Sequence, residues 1–323
     1  MTATTHDIAA HDFDERPVDT RMMTHRYSTI DVPVDGGRLH AGIWDPIEVA
    51  EGAAVPTVLA IHGVTSSHLV WPHVVAQLPH TRIIAPDLRG RGASRDLAGG
   101  GGMAAHARDM IAVLEALSIE SLPVIGHSMG GFVSVVLAHL APQRVERLVL
   151  IDGGLPLNAP AGLDPEDLVQ AILGPTAARL SMRFASVSEY LDFWRDHPAF
   201  RGAWTPVLED YFAYDLVPDG NELRPATSLR TTKEDTVDMN TGSALPEALA
   251  ALGDWGRPVL FTTVPRGLQD DTPGLYPPAH VESLLPQFPS VRHLELPDLN
   301  HYTVVLGTDG AAAIGARLRE ELG

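Results

Sequence analysis

The chain contains no cysteine, an absence that removes disulfides, thiolate metal sites and a thiol nucleophile together while leaving the redox compartment open. Positive charge is scarce: 23 Lys and Arg stand against 41 Asp and Glu, a formal net charge of −18. So acidic a chain repels phosphate backbones and anionic bilayers, and no nucleic-acid or membrane partner is expected. No apolar run approaches the roughly 18 residues of a membrane span, and no basic segment followed by an apolar one opens the chain. The expected compartment is therefore the cytoplasm, by default. Internal repeats are missing, and so is any His-Glu-x-x-His spacing; a metal site from His62, His68 and His73 has no carboxylate–histidine pattern behind it, and no metal or cofactor is expected. What is present is 323 residues, 45% of them hydrophobic, enough for a large core in one big domain or a domain with an insertion. Oligomeric state is left open, a homo-oligomer included.

Residues 1–25 are rich in Asp, Thr and His without a period of 2 or 3.6, and read as a flexible arm or one laid over the surface. Two alternating runs, 27–34 and 38–44, flank Asp35-Gly36-Gly37 and predict a hairpin. Then continuous apolar strands (56–61, 82–86, 122–127, 147–152) alternate with helical patterns (71–78, 103–117, 132–140), which means parallel pairing with helices on both faces. The glycine run 99–102 reads as a linker. From 153 to 252 no strong buried strand is legible and helical segments dominate (165–173, 177–184, 187–197, 206–214, 245–252), so this stretch reads as a lid inserted into an α/β core made of 26–152 and 253–323. Strands over 258–264 and 291–296, a loop carrying His301 and a last helix over 310–322 complete the core.

The decisive stretch is Leu122-Pro-Val-Ile-Gly126-His127-Ser128-Met129-Gly130-Gly131-Phe132. A strand runs into a serine flanked by glycines two residues either side, and a helix follows at once. A serine hydroxyl is a weak nucleophile, so it must be thrust from a sharp bend towards a base, and small residues at 126 and 130 let strand and helix approach. The helix turns its first N–H groups and positive dipole end to any negative charge beside Ser128, which makes the Met129 N–H one donor of an oxyanion hole. His127 is expected to point away from the site and pack. His62 is expected to shape its loop by hydrogen bonding, outside the chemical step.

The order His62-Gly63, Asp87-x-Arg89-Gly90-x-Gly92-x-Ser94, Gly126-His127-Ser128-Met129-Gly130, a helical insert, a late acid and a late His301 resembles the α/β-hydrolase superfamily over roughly residues 27–322. The resemblance implies a mostly parallel eight-stranded sheet with a helical cap inserted after the sixth strand, a Ser…Asp/Glu…His order, and a second oxyanion donor from Val64. His301, placed after the last strand, takes the role of general base. The acid is expected after the penultimate strand, where Gly267-x-x-Asp270 resembles the family's acid loop; Asp270 is chosen over Asp271. Asp152 is the third candidate, because some members supply the acid there, although an Asp before Gly153-Gly154 also reads as a turn-former. Asp87, Arg89 and Ser94 are assigned to a supporting turn.

Three classes of function are then compared. A serine hydrolase acting on a small-molecule carboxylic ester or lactone accounts for all of these residues. Epoxide and haloalkane hydrolases on this fold need a carboxylate where Ser128 stands. C–C-bond hydrolases, amidases, perhydrolases and acyltransferases retain the serine and stay open, as does a noncatalytic small-molecule receptor, whose mark would be a lost triad member. Aromatics of the insert, Trp194 and Trp204 among them, suggest an apolar pocket roof.

Overall fold

The computed structural model describes residues 24–50, 52–158, 167 and 173–322. Most of the N-terminal arm, and the expected helix over 165–173 apart from two residues, lie outside them. The strands are β1 (His25–Val34), β2 (Gly37–Pro46), β3 (Thr57–Ile61), β4 (Arg82–Pro86), β5 (Leu122–His127), β6 (Val145–Ile151), β7 (Leu216–Asp219), β8 (Glu222–Pro225), β9 (Val259–Thr263) and β10 (Val291–Glu295). The helices are α1 (Pro72–Val75), α2 (Met103–Ala116), α3 (Met129–Leu140), α4 (Pro175–Arg179), α5 (Val187–Arg195), α6 (Pro206–Tyr214), α7 (Leu229–Thr241), α8 (Ala244–Gly253), α9 (Pro278–Leu284), α10 (Thr303–Leu306) and α11 (Thr308–Leu322).

Eight strands form one sheet in the order β1-β2-β4-β3-β5-β6-β9-β10, and β7 and β8 form a separate hairpin. From β4 to β10 every neighbouring pair is parallel. Only β2 runs against its neighbours, pairing antiparallel with β1 in the expected hairpin and with β4. The continuous apolar runs are explained by burial on both faces. Leu59, Ile61, Val124, Leu148 and Leu150 join the apolar cluster that contains Met110, Val136 and Leu252, on α2, α3 and α8. Their alternate neighbours Val58, Ala60, Ile125, Val149 and Ile151 join the cluster that contains Val75 and Ile314, on α1 and α11. Each of the Val, Leu and Ile side chains among them contributes about 1.5–3 kcal/mol on burial.

The order fixes where a ligand can sit. Strand β3 lies between β4 and β5, so the chain leaves it in one direction and returns on its other side. In an open α/β sheet the crevice beyond the strand ends at such a switch point is the binding place. The loops after β3 and β5, which carry Val64 and Ser128, flank it.

Between β6 and β9 the described residues hold α4 to α8 and the β7–β8 hairpin. An aromatic knot holds this insertion together: Trp194 stacks on Phe212 with ring centroids 4.3 Å apart and meets Tyr190 and Phe200 edge-on. The buried Arg179 lies 5.1 Å from the Trp194 ring and pairs with Asp215 at 2.5 Å. Helix α8 falls in the same stretch but packs Leu245, Ala248 and Leu252 into the cluster of α2 and α3, and so belongs to the layer flanking the sheet.

Helix α7 has no counterpart in the sequence reading, and its buried face explains why. It buries Thr231, Thr232, Asp235 and Thr236, so no apolar stripe of helical period announces it. These residues meet the glycine run, which is a seat for α7 and not a plain linker. Gly101 N, Gly102 N and Met103 N donate to Glu234, Asp235 and Asp238 at 3.0, 2.5 and 2.7 Å. A Cβ on Gly101 would fall 2.3 Å from Asp235 Oδ1, closer than any side chain tolerates.

Candidate active site

Ser128 stands between β5 and α3 with φ 55° and ψ −124°, a left-handed conformation that L residues rarely adopt. The bend closes because the glycines around it have no side chain. A Cβ at Gly126 would lie 2.3 Å from Gly130 O, and one at Gly130 would lie 2.0 Å from Ile61 O. Ser128 N donates to Ile151 O at 2.9 Å and Gly131 N returns to Ser128 O at 2.9 Å, which ties the bend to β6 and to the first turn of α3. Met129 opens α3, where an N–H has no helical carbonyl to reach.

His301 is held on three sides. Its N–H donates to Arg266 O at 3.0 Å, and its carbonyl accepts from His127 Nε2 at 2.9 Å. Asn300, one residue earlier, accepts Tyr302 N and Thr303 N at 3.0 and 2.8 Å and so caps the short helix α10. The imidazole Nδ1 then meets Asp152 Oδ2 at 2.6 Å, with side chains 4% and 0% exposed.

The expected acid is thus corrected. Asp270 does not reach His301: its Oδ1 accepts from Asn300 Nδ2 at 2.9 Å and lies 3.2 Å from Arg266 Nε, with 30% of its side chain exposed. Two features separate the candidates. Gly153 lets the turn after β6 press on the elbow, since a Cβ there would stand 2.1 Å from Ser128 O, and this brings Asp152 beneath His301. The loop after β9 is extended by Pro265-Arg266, and Arg266 pairs with Asn300 in a parallel bridge, which sets Asp270 against the residue before the histidine. Asp271 is exposed, its Oδ1 accepting only Gln269 N at 3.3 Å.

Two other histidines are settled by their partners. His127 does not point away: its ring lies 4.7 Å from that of His301 and supports the His301 carbonyl. Burial, with the neighbouring His301, drives its pKa well below the usual value, so it stays neutral with the proton on Nε2. His62 is pushed by burial to a pKa of about 3; its Nδ1–H donates to Gly63 O at 2.8 Å while Nε2 accepts from Leu88 N at 3.0 Å. It ties the loop after β3 to the loop after β4, as expected of a shaping residue. His68 bonds Asp87 at 2.9 Å and His73 bonds Thr205 at 3.2 Å; the three histidines therefore serve separate bonds. Among the described residues no group of three or more His, Asp or Glu is arranged to hold a metal ion.

The supporting turn is built from the expected residues. Asp87 accepts His68 N, Ala93 N and, from α6, Tyr214 OH at 2.8, 2.9 and 2.6 Å. Arg89 forks onto Asp109 at 2.6 and 2.7 Å, and Ser94 Oγ accepts His40 N at 2.9 Å.

Ser128, His301 and Asp152 line one pocket with Val64 and Met129. The insertion contributes Leu173, Thr176, Tyr211, Thr236 and Met239 to its wall. Trp194 and Trp204 are not among the lining residues; Trp194 is only 3% exposed, within the insertion's own core. Of the aromatics expected to roof the pocket, Tyr211 alone does, with its hydroxyl on Ser66 Oγ at 3.0 Å.

A family model for the alpha/beta hydrolase fold matches residues 56–196. The chain has the α/β-hydrolase fold. An uncharacterised protein of Mycobacterium tuberculosis is 39% identical over 100 residues, 31% of this chain and 29% of that protein. The matched stretch thus spans less than a third of those first curated relatives. A protein of Azorhizobium caulinodans that carries the name of a carbamate hydrolase is 27% identical over 70% of this chain and 92% of its own length. The solved structure of an E-2-(acetamidomethylene)succinate hydrolase superposes with a TM-score of 0.71, covering 91% of this chain and all of that one at 20% identity, a likeness of fold. Among the described residues no helix is long and apolar enough to cross a membrane.

Proposed function

We propose that the protein is a serine hydrolase that cleaves an uncharged carboxylic ester or lactone through an acyl-enzyme on Ser128. The observation that carries the reading is the buried His301–Asp152 contact of 2.6 Å opening on the same pocket as the left-handed Ser128. With Nδ1 donating to a carboxylate, His301 presents Nε2 as a base. Nε2 takes the Ser128 proton as Oγ attacks the carbonyl carbon, and the oxyanion is held by the N–H groups of Met129 and Val64. Collapse expels the alkoxide, which leaves with the proton from Nε2; a water then repeats the sequence on the acyl-enzyme and releases the acid. Asp152 holds the tautomer and stabilises the imidazolium throughout.

Substrate class follows from the lining. Apart from Asp152 and His301, the polar side chains of the pocket include the hydroxyls of Ser66, Thr176, Tyr211, Thr236 and Tyr302, while Val64, Val70, Phe132, Leu157 and Leu268 make it apolar. No arginine or lysine lines it, so a carboxylate-bearing acyl group would lose its hydration without a partner. The insertion between β6 and β9 acts as the lid of this pocket and sets which acyl groups fit. A carbamate is a second reading, supported by the name of the Azorhizobium relative; it uses the same nucleophile and oxyanion donors.

The test is a chain-length series of p-nitrophenyl esters and small lactones together with a fluorophosphonate probe. Wild type should be labelled on Ser128 and turn over neutral esters, whereas Ser128→Ala should lose label and at least about 10³-fold in rate with its unfolding little changed. Unchanged esterase activity in Ser128→Ala would end the serine mechanism.

A further inference from the structure

Arg91 occupies a position that the Asp87-to-Ser94 motif leaves open, yet its side chain is wholly excluded from water. Its Nε donates to Val64 O at 2.8 Å, and its Nη1 donates to Arg89 O at 2.7 Å and faces Asp235 Oδ2 at 2.5 Å. Asp235, equally buried, stands on α7 and also accepts Gly102 N and His106 Nε2 at 2.5 and 2.9 Å. One guanidinium therefore joins the loop after β3, the loop after β4 and a helix of the insertion. That same helix supplies Thr236 and Met239 to the pocket wall, and Val64 lines the same pocket as Ser128.

A buried ion pair is a poor device for stability alone, because desolvating two charges offsets most of their attraction and apolar replacements are often no worse. It is a good device for geometry, since a planar fork allows few arrangements. Fixing Val64 O fixes the torsion about Val64 and with it the neighbouring peptide that carries the Val64 N–H.

We propose that Arg91 is a positioning residue, which aims the Val64 oxyanion donor and locks it in register with the α7 wall of the acyl pocket. The proposal rests on the serine-hydrolase reading. A donor displaced by about 1 Å costs on the order of 10²-fold in rate without changing how the ground state is bound. Acyl fit and oxyanion stabilisation are then set by one joint, so lid and chemistry cannot drift apart.

The test uses the full chain with Arg91→Met/Asp235→Asn, which removes both charges together, and Arg91→Lys, which keeps the charge opposite Asp235 but not the fork. The expected result for the double variant is a 10- to 100-fold fall in kcat with KM within threefold. Affinity for a trifluoromethyl ketone, whose hemiketal oxyanion needs the donors, should fall by the same factor, and Arg91→Lys should lie between. Fluorophosphonate labelling of Ser128 should persist in both. A folded variant with unchanged kcat and unchanged ketone affinity overturns the proposal and leaves Arg91 a joint only. Should the double variant unfold, Arg91→Lys decides: equal losses in kcat and ketone affinity support positioning, and no loss in either overturns it. Wild type that neither labels nor turns over esters defeats the serine-hydrolase reading itself, and this proposal falls with it.

Discussion

Two loops at the same end of the sheet each finish a buried strand with an aspartate in the left-handed region: Asp152 after β6 at φ 45° and Asp270 after β9 at φ 61°. Their surroundings differ completely. Asp152 is 0% exposed and faces His301, whereas Asp270 is 30% exposed and faces Asn300 and Arg266. The backbone conformation is shared, so it does not decide the role. What decides is how close each turn can come to the elbow. The turn after β6 is followed by Gly153 and Gly154 and lies against the Ser128 and Gly131 backbones; the turn after β9 is held off by its extension and by the pairing of Arg266 with Asn300. One loop presents its carboxylate to His301, and the other braces the residue beside it.

The largest expected effect breaks the comparison at its centre. Asp152→Asn should depress single-turnover acylation by on the order of 10⁴-fold, because an amide donating to Nδ1 leaves the proton on Nε2, the wrong tautomer for accepting one from Ser128. The folded fraction should still take up substrate. A rate within about tenfold of wild type would show that His301 works without Asp152.

The next effect tests the cause and not the carboxylate. Gly153→Ala places a Cβ 2.1 Å from Ser128 O and 2.6 Å from Ser128 Cα, a clash with main chain that no rotamer relieves. The turn must retreat, which should cost about 1–3 kcal/mol of stability and, through a displacement near 1 Å, about 10²-fold in kcat. Gly267→Ala is the matched control in the other loop. Its Cβ would press on Asp271 Oδ1 at 3.0 Å, the end of an exposed side chain, and would meet Asp271 Cγ and O at an ordinary 3.8 Å, so rate should stay within about threefold. Similar losses for both glycines would remove close approach as the explanation.

Much of this was legible from residues alone, and the exceptions share a cause. The parallel sheet, the Ser128 bend and the late His301 announce themselves through local pattern: apolar runs, paired glycines, a loop after the last strand. The choice between Asp152 and Asp270 depends on a distance between two turns far apart in the chain, and local spacing carries no such distance. Gly153-Gly154 did carry a signal, since two adjacent glycines after a strand mark close backbone approach as readily as a turn. His127 keeps the register of β5, and its contact is with His301, 174 residues later, which spacing along the strand does not reveal. Helix α7 and the glycine run escaped notice together: a helix whose buried face is threonine and aspartate has no hydrophobic period, and its partner is a row of amides. The tryptophans of the insertion read as pocket residues by composition, but large rings on amphipathic helices first serve the core of their own layer.

The smallest expected effect sharpens the comparison from the bracing side. Asp270→Asn keeps an oxygen that can accept from Asn300 Nδ2 and loses only the charge opposite Arg266. Asn300 also retains Ala199 O at 2.9 Å as a second acceptor for the same amide and keeps its cap on α10. A neutral hydrogen bond of this kind contributes about 0.5–1.5 kcal/mol, and weakening it should loosen the His301 loop slightly. The rate should fall by no more than about tenfold, and unfolding should shift by less than that bond is worth. Asp271→Asn, exposed at the tip of the same turn, should remain within about 0.5 kcal/mol of wild type, as surface changes usually do. Acylation rates for the two variants beside Asp152→Asn check the ranking. If Asp270→Asn were the dead variant and Asp152→Asn the healthy one, the loop after β9 would have to swing its carboxylate onto His301 during turnover, and the bracing role assigned to Asp270 would be wrong.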